Sequence, residues 1–119
     1  MERSYSLFEL TNLVRCGLRE YFPETYWVRA EISECHTSGG HCYLELVEKD
    51  RFTDQLKAKC RAMIWSNVWL PLSMSFEQQT GSRIGVGIKI LASVRVDFHE
   101  LYGFSLTVTD IDPSFTLGE

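Results

Sequence analysis

The sequence predicts an all-β protein in which an N-terminal helix precedes a five-stranded barrel and a short helix separates the third and fourth strands. Two observations lead to this fold class. Apolar residues recur with a helical period up to Pro23 and with a period of two in five later segments. Gly85 and Gly87 interrupt the longest of these segments and allow the sharp coiling that closes a barrel. With 119 residues, 45% of them hydrophobic, we expect one domain spanning 1–119.

The N-terminal helix is expected over residues 5–22. Ser6 and Glu9 have the spacing of a capping box, in which each side chain accepts a hydrogen bond from a backbone N–H at the helix start. Pro23 cannot continue the helix. An apolar stripe with helical spacing is expected to pack the helix against the rest of the chain. It consists of Leu7, Leu10, Val14, Leu18 and Tyr21.

Three alternating segments follow the helix and predict three antiparallel strands. The first alternates over 28–33, and a glycine turn at 38–40 joins it to the second at 41–47, so that the two form a hairpin. A polar loop at 48–54 leads to the third segment. The outer face of that strand carries the one basic stripe of the chain, formed by Lys57, Lys59 and Arg61.

The second half of the chain predicts a plug and two more strands. The segment 65–76 is irregular and contains Pro71, which favours a short bent helix or packed loop at one end of the barrel. Alternation then resumes over the unusually long stretch 84–98, as expected for a curved strand with one buried face. A last strand, with alternation over 104–108, follows a glycine turn, and no helix is expected after it.

This order of elements matches the partly open Greek-key barrel called the OB-fold, with an SH3-like barrel as the main alternative. OB-folds bind single-stranded nucleic acids or oligosaccharides across the second and third strands, between the loops that join strands one to two and four to five. Single-strand binding needs cations to neutralise phosphates and rings to stack on bases, and both occur at these positions. The candidate binding residues are Arg29, His41, Tyr43, Lys57, Lys59, Arg61, Trp65, Arg95 and Tyr102, with His99 nearby.

The charge of the chain argues against the interpretation as a nucleic-acid-binding protein. The net charge is -4, so nucleic-acid binding must rest on local charge, and Glu31 and Glu45 share the candidate face. Three cations on one strand also suit an ordinary solvated face. Tyr43 has an outward-facing position and is the favoured stacking ring. The rings expected in the core or the plug instead are Trp27, Trp65 and Trp69.

The cysteine pattern and the N-terminus predict reduced thiols in a cytoplasmic protein. The cysteines lack paired Cys-x-x-Cys spacing, and the N-terminus lacks an apolar signal-peptide segment. No apolar run approaches the roughly 18 residues that span a bilayer, so no membrane partner is expected. The four cysteines are Cys16, Cys35, Cys42 and Cys60.

We expect no catalytic site, metal site or cofactor in this chain. The segment 54–57 has a weak similarity to a metal-dependent nuclease core, but the acidic residues are scattered, whereas Mg²⁺ needs carboxylates that converge. Cys35, His36, His41 and Cys42 flank one turn without the spacing of a zinc knuckle. Three alternatives stay open: an OB-fold that binds tRNA or other RNA, one that binds oligosaccharide, and an assembly module that binds no nucleic acid.

Several motifs occur in order along nearly the whole chain. They are Ser-Leu-Phe-Glu-Leu at 6–10, Trp-Val-Arg-Ala-Glu-Ile-Ser at 27–33, Ser-Gly-Gly-His-Cys-Tyr at 38–43, Lys-Cys-Arg-Ala-Met-Ile-Trp at 59–65, Thr80-Gly81, Tyr-Gly-Phe-Ser-Leu at 102–106, Asp112-Pro113 and Leu-Gly-Glu at 117–119. This series resembles the N-terminal segment of the exodeoxyribonuclease VII large subunit. The chain departs from that family at Leu44, where a second aromatic is usual, at 47–48, where a Lys-Asp pair is usual, and in the longer, more acidic loop 48–54.

The resemblance implies an OB-fold that holds single-stranded DNA for a nuclease domain further along the polypeptide, absent from this chain. The chain alone is therefore expected to bind DNA and not to cut it. The family's enzyme degrades single-stranded DNA from either end into oligonucleotides. Several copies of a small helical subunit attach to its large subunit, and we expect them to contact the missing part.

Overall fold

Five strands close into a barrel in the computed structural model, which describes residues 3–119. The elements are α1 (Leu7–Tyr21), β1 (Thr25–Ser38), β2 (His41–Lys49), β3 (Leu56–Ile64), α2 (Ser66–Thr80), β4 (Lys89–His99), β5 (Gly103–Ile111) and α3 (Pro113–Leu117). Around the barrel the strand order is β1-β2-β3-β5-β4, and β4 pairs back onto β1. The predicted barrel, its N-terminal helix and the helix between the third and fourth strands are confirmed.

The barrel has one parallel seam. Four of the neighbouring strand pairs are antiparallel, whereas β3 and β5 run parallel. The seam pairs Ala62 with Leu106 and Met63 with Thr107. Inward-facing side chains of all five strands surround a single apolar core. Its largest fully buried side chains are Phe76, Ile32, Ile64, Ile90, Val94 and Val108.

α2 closes one end of the barrel and is longer than the short helix predicted there. Val68, Trp69 and Leu72 pack against the core, and Phe76 is buried within it. This spacing gives the helix one apolar face toward the barrel. The helix continues through Pro71, whose missing N–H removes one backbone hydrogen bond. Burial of the apolar face therefore outweighs the proline that predicted a break.

β4 begins later than the alternating pattern predicts. The first residue of the strand is Lys89, and Val86, which shares the parity of the core residues, is exposed. Gly87 has a φ of 88°, a backbone conformation that residues with a side chain rarely adopt. The chain therefore turns where an extended strand was expected. The prediction of a strand over 84–98 is wrong for residues 84–88.

A short helix, α3, follows the last strand, where no helix was expected. The Asp112 carboxylate accepts a hydrogen bond of 2.9 Å from the N–H of Ser114, and Pro113 occupies the first helical turn. An aspartate at the N-cap followed by a proline is a recognised helix-start signal. The information for α3 was therefore present in the sequence at Asp112-Pro113.

α1 turns its polar side to the barrel. Its capping box is formed as predicted, since Ser6 Oγ accepts from the N–H of Glu9 and Glu9 Oε1 accepts from the N–H of Ser6. Asn12 and Arg15 face the turn after β4. None of the helix residues is buried, and most of the predicted stripe is exposed, namely Leu7, Leu10, Val14 and Tyr21. The prediction that this stripe packs α1 against the barrel is therefore wrong for every member except Leu18, which is half-buried.

None of the helices within residues 3–119 is both long enough and apolar enough to cross a lipid bilayer.

All four cysteines are free. Cys35 of β1 and Cys42 of β2 are close neighbours, with 3.7 Å between their Sγ atoms. Cys42 has no exposed surface. Burial disfavours the charged thiolate, and with the adjacent Cys35 it raises the pKa of Cys42 to about 12.

We expect the barrel to lose stability as the pH rises from about 9 to about 12. The Cys42 thiol has an ordinary pKa of 9.0 and a folded-state pKa of about 12. Because the folded value is the higher one, its contribution is complete below pH 9 and is lost across this window. Urea denaturation at several pH values measures the effect. Cys42→Ala, which cannot ionise, should start less stable but lose less over the window, and a parallel loss in both proteins would contradict the assignment.

Candidate nucleic-acid interface

A groove of about 820 Å³ crosses the outer face of the barrel from the second half of β1 over β2, β3 and β5 to β4. Small side chains of β5, Ser105 and Thr107, form its floor and are nearly buried. Residues of β2 and β3 form one side, and residues of β4 and the β4–β5 turn form the other. The first side includes Tyr43, Met63 and Trp65, and the second includes Arg95, His99 and Tyr102.

Strand register explains why these side chains meet. Tyr43 of β2 lies opposite His36 of β1 on one side and opposite Met63 of β3 on the other. Met63 lies opposite Thr107 of β5, which in turn lies opposite Arg95 of β4. Directly paired residues point to the same face of a sheet. One row of outward side chains therefore runs across the strands through the centre of the groove.

A bulge in β1 determines which of its residues face the groove. The β1–β2 register shifts between Ile32 and Glu34, and the extra residue is Ser33. The Ser33 hydroxyl donates a hydrogen bond of 2.8 Å to Glu45 Oε1. Beyond the bulge, Glu34 and His36 line the groove. No sequence pattern marks the bulge, which is why these two residues were missed.

Aromatic rings lie in pairs along both sides of the groove. The pairs are His36 stacked on Tyr43 at 5.3 Å between ring centroids, His41 edge-on to Trp65 at 5.0 Å, and His99 stacked on Tyr102 at 4.8 Å. Trp65 is 40% exposed and Tyr102 is 67% exposed, so both present ring surface to an incoming base. Of the three rings expected in the core or the plug, Trp69 packs against the core and Trp65 is the N-cap residue of α2, whereas the expectation is wrong for Trp27. Trp27 is exposed beside a separate hollow of about 270 Å³.

His41 also caps α2. Its Nδ1 accepts a hydrogen bond of 2.9 Å from the N–H of Ser66, the first residue of that helix. The N-cap residue Trp65 makes no side-chain capping bond itself. Because the first N–H groups of a helix lack partners within it, His41 satisfies one of them from the neighbouring strand. The same contact holds Trp65 at the edge of the groove.

The β4–β5 turn stands at the other side and is anchored to β3. The Arg61 guanidinium donates a hydrogen bond to the carbonyl oxygen of Tyr102. Within the turn, His99 Nδ1 accepts a hydrogen bond of 3.0 Å from the N–H of Leu101. Gly103 follows with a φ of 78°, which favours glycine at this point of a three-residue hairpin loop. These contacts place the Tyr102 ring beside the groove.

Glu100 joins the same turn to α1. Its Oε1 accepts hydrogen bonds from Arg15 Nε at 2.6 Å and from Asn12 Nδ2 at 3.3 Å. A bond from its own backbone N–H, and then those from Arg15 and Asn12, hold the pKa of Glu100 below its ordinary value. Only 16% of the Glu100 side chain is exposed. The carboxylate is therefore a charged anchor between the helix and the turn.

Two of the predicted arginines line the groove and one does not. Arg61 and Arg95 are groove residues. Arg29 lies outside the groove, on the first half of β1, opposite Leu91 of β4. The alternation of residues along β1 therefore identified Arg29 correctly as facing outward. The groove, however, begins further along that strand.

The two predicted lysines lie beyond the groove on β3. Lys57 and Lys59 belong to the first half of the strand, in which every residue before Cys60 is exposed. Each lies near a glutamate of β2, with Lys57 Nζ 3.7 Å from Glu48 and Lys59 Nζ 3.3 Å from Glu45. The basic stripe is therefore partly neutralised by carboxylates of the adjacent strand.

Acidic side chains share the groove with the arginines. Those that line it are Glu34, Glu45 and Asp97. Asp97 accepts a hydrogen bond from the Thr107 hydroxyl and lies 3.8 Å from Arg95 Nε. Glu45 accepts from Ser33 and also lies near Lys59. Donors within the protein thus offset part of the negative charge.

The residues flanking the first turn are divided between two faces. The thiols of Cys35 and Cys42 pack at the core, whereas the rings of His36 and His41 lie in aromatic contacts on the outer side. Strand alternation separates neighbours in this way. Within residues 3–119, no three His, Cys, Asp or Glu side chains are grouped so that they could hold a metal ion.

Comparison with known proteins agrees with this architecture. Residues 5–112 match the model of the OB-fold nucleic acid binding domain family. The chain is 36% identical over 123 residues to the exodeoxyribonuclease 7 large subunit of Deinococcus radiodurans. That match covers 99% of this chain and 29% of the relative. The chain therefore spans less than a third of the length of this relative.

Proposed function

The chain belongs to the family of OB-fold nucleic acid binding domains, and on that premise we propose that its groove binds single-stranded DNA. The observation that carries the proposal is the placement of exposed rings on both sides of one groove that Arg61 and Arg95 also line. OB-folds bind single strands on this face of the barrel.

The groove suits unpaired bases. Bases of a duplex already stack on one another, whereas an unpaired base can stack on a protein ring, which contributes about 1–3 kcal/mol per base. Tyr43 and Trp65 offer such rings on one side, and Tyr102 offers one on the other. Arg61 has five N–H donors, so its bond to the Tyr102 carbonyl leaves others for a phosphate.

Lys57 and Lys59 extend this binding track beyond the groove. Their side chains are more than half exposed, and they continue the line of Arg61 along β3. A phosphate that approaches this strand competes with Glu48 and Glu45 for the ammonium groups, so we propose weaker contacts here than at the arginines. Arg29 lies outside the proposed track.

The similarity to the exodeoxyribonuclease subunit supports a proposal about the wider role of this chain. The name of that relative describes one subunit of an exodeoxyribonuclease, an enzyme that acts on DNA. Because this chain corresponds to 29% of that protein, we propose that it is the part of a longer cytoplasmic polypeptide that holds single-stranded DNA for a nuclease domain. A small subunit, if the assembly resembles that family, would attach outside this chain.

A neutral oligosaccharide is the second candidate ligand. Glu34, Glu45 and Asp97 line the groove and would repel phosphates, whereas carboxylates accept hydrogen bonds from sugar hydroxyls. OB-folds bind both ligand classes at this position. Competition between the two ligands in one assay distinguishes these functions.

Fluorescence anisotropy with a labelled single-stranded oligonucleotide tests the proposal. We expect the chain to bind the labelled oligonucleotide in a salt-sensitive way. The matching duplex and a neutral oligosaccharide should displace it only weakly. Arg95→Ala should reduce the slope of log affinity against log salt by about 0.7, the amount for one lost phosphate contact. Lys89→Ala removes the same charge at the other end of β4 and is expected to leave the slope unchanged.

Two results would count against single-stranded DNA as the ligand, and a third would count against the role of Arg95. If no binding is detected at low salt, the remaining function is that of an assembly module that binds no nucleic acid. If RNA or the oligosaccharide competes more strongly than single-stranded DNA, the groove binds that ligand instead. An equal change in slope for Arg95→Ala and Lys89→Ala would remove Arg95 from the site.

A further inference from the structure

We infer that α1 positions the Tyr102 side of the groove through Glu100, and that Arg15 and Asn12 are positioning residues for ligand binding. The inference rests on the proposed function, since it concerns the same groove. It assigns a role to a helix that contributes none of the residues lining that groove.

The contact between α1 and the barrel is polar where an amphipathic helix would ordinarily bury its apolar side. Most of the apolar stripe is exposed, and Arg15 and Asn12 instead bind the Glu100 carboxylate at 2.6 and 3.3 Å. The Arg15 and Glu100 side chains are 29% and 16% exposed. A charged hydrogen bond shielded from water in this way is stronger than an ordinary surface ion pair.

The anchored residue lies in the turn that carries the ring. Glu100 is the first residue after β4, and Tyr102 is the last residue before β5. Residues of two other elements hold this turn in place. Arg15 of α1 binds the Glu100 carboxylate, and Arg61 of β3 binds the Tyr102 carbonyl oxygen. A shift at either anchor therefore moves the backbone that carries the ring.

The Tyr102 ring depends on these anchors because little else holds it. Its side chain is 67% exposed, and its ring stacks on His99, the last residue of β4, at the base of the same turn. A ring that is fixed before the ligand arrives binds more tightly than one that must be ordered on binding. If the α1 anchor is removed, binding is therefore expected to weaken even though every group that touches the ligand is still present.

The first test compares two arginines of α1. We expect Arg15→Ala to weaken binding of the labelled single strand by about 3- to 10-fold, in the lower part of the range for residues coupled in one network. Arg19→Ala removes the same charge from an exposed position on the same helix and controls for long-range attraction. Equal losses in the two variants would overturn the inference.

The second test uses the sign of a charge change. Glu100→Ala removes a negative charge near the groove, so electrostatics alone would strengthen DNA binding. Positioning through Glu100 predicts weaker binding by a similar 3- to 10-fold factor. Tighter binding of this variant would overturn the inference.

The third test asks whether the effect passes through the ring. In a Tyr102→Ala background, Arg15→Ala should cause no further loss, because the ring that it positions is gone. A full additional loss would show that Arg15 acts elsewhere and would overturn the inference. If the unmodified chain binds no single strand, the proposed function fails and this inference fails with it. If only the inference fails, the wild-type chain still binds the single strand and Tyr102→Ala still weakens that binding.

Discussion

Replacing Tyr43 by alanine is expected to weaken the binding of single-stranded DNA by about 5- to 150-fold, which corresponds to the stacking energy of one base. Tyr43 belongs to the row of side chains that crosses the strands and lies between His36 and Met63. Its ring stacks on His36, so the variant removes both a platform for a base and the partner that orders the imidazole. Anisotropy titration at fixed salt measures the change.

Trp27→Ala is the matched control for this effect. Trp27 is a 56% exposed ring on β1 that lies outside the groove. Its removal should leave the affinity unchanged, whereas Tyr43→Phe, which keeps the ring, should lose less than Tyr43→Ala. Comparable losses for Trp27→Ala and Tyr43→Ala would mean that exposed aromatic surface in general, and not the groove, binds the strand.

Phe76→Ala is expected to lower the free energy of unfolding by about 3–5 kcal/mol. Phe76 is 1% exposed and is the largest fully buried side chain, so its truncation leaves a cavity beneath α2. Domains of this size have only about 5–15 kcal/mol of total stability. The expected loss is therefore a large fraction of the whole, and urea denaturation measures it.

Met74→Ala serves as the control on the same helix. Met74 is 64% exposed, so its loss should change the free energy of unfolding by no more than about 0.5 kcal/mol. If Phe76→Ala fails to fold, Phe76→Leu keeps most of the volume and gives a smaller loss that can still be measured. A Phe76→Leu protein as stable as the wild type would mean that α2 does not close the core as described.

Local periodicity carried enough information to predict the barrel. Cys42, Leu44 and Leu46 alternate cleanly and are buried, and the same pattern identified the other strands. The pattern fails where tertiary contacts oppose a local signal. Pro71 predicts a break, yet α2 continues because its apolar face is buried against the barrel.

The orientation of α1 could not be predicted because an apolar stripe shows that a helix has an apolar side but does not show what covers it. The partner of Arg15 is Glu100, which lies 85 residues away in sequence. No local pattern connects two positions so far apart. The same limit applies to the bulge at Ser33, which depends on how β1 pairs with β2.

The candidate site was partly predictable for a related reason. Parity along a strand identifies the outward face, and five of the candidates do line the groove, namely Tyr43, Arg61, Trp65, Arg95 and Tyr102. Parity does not show how far along the strand the groove extends. Lys57 and Lys59 share the face of Arg61 but lie outside the groove for this reason.

The parallel seam between β3 and β5 runs beneath the groove and is the most sparsely paired junction of the barrel. Two residue pairs join these strands, whereas the antiparallel ladders on either side are longer. Weakly paired backbone separates and recloses more readily than a long ladder. Local opening of the barrel is therefore expected to begin along this seam, on the face that carries the groove.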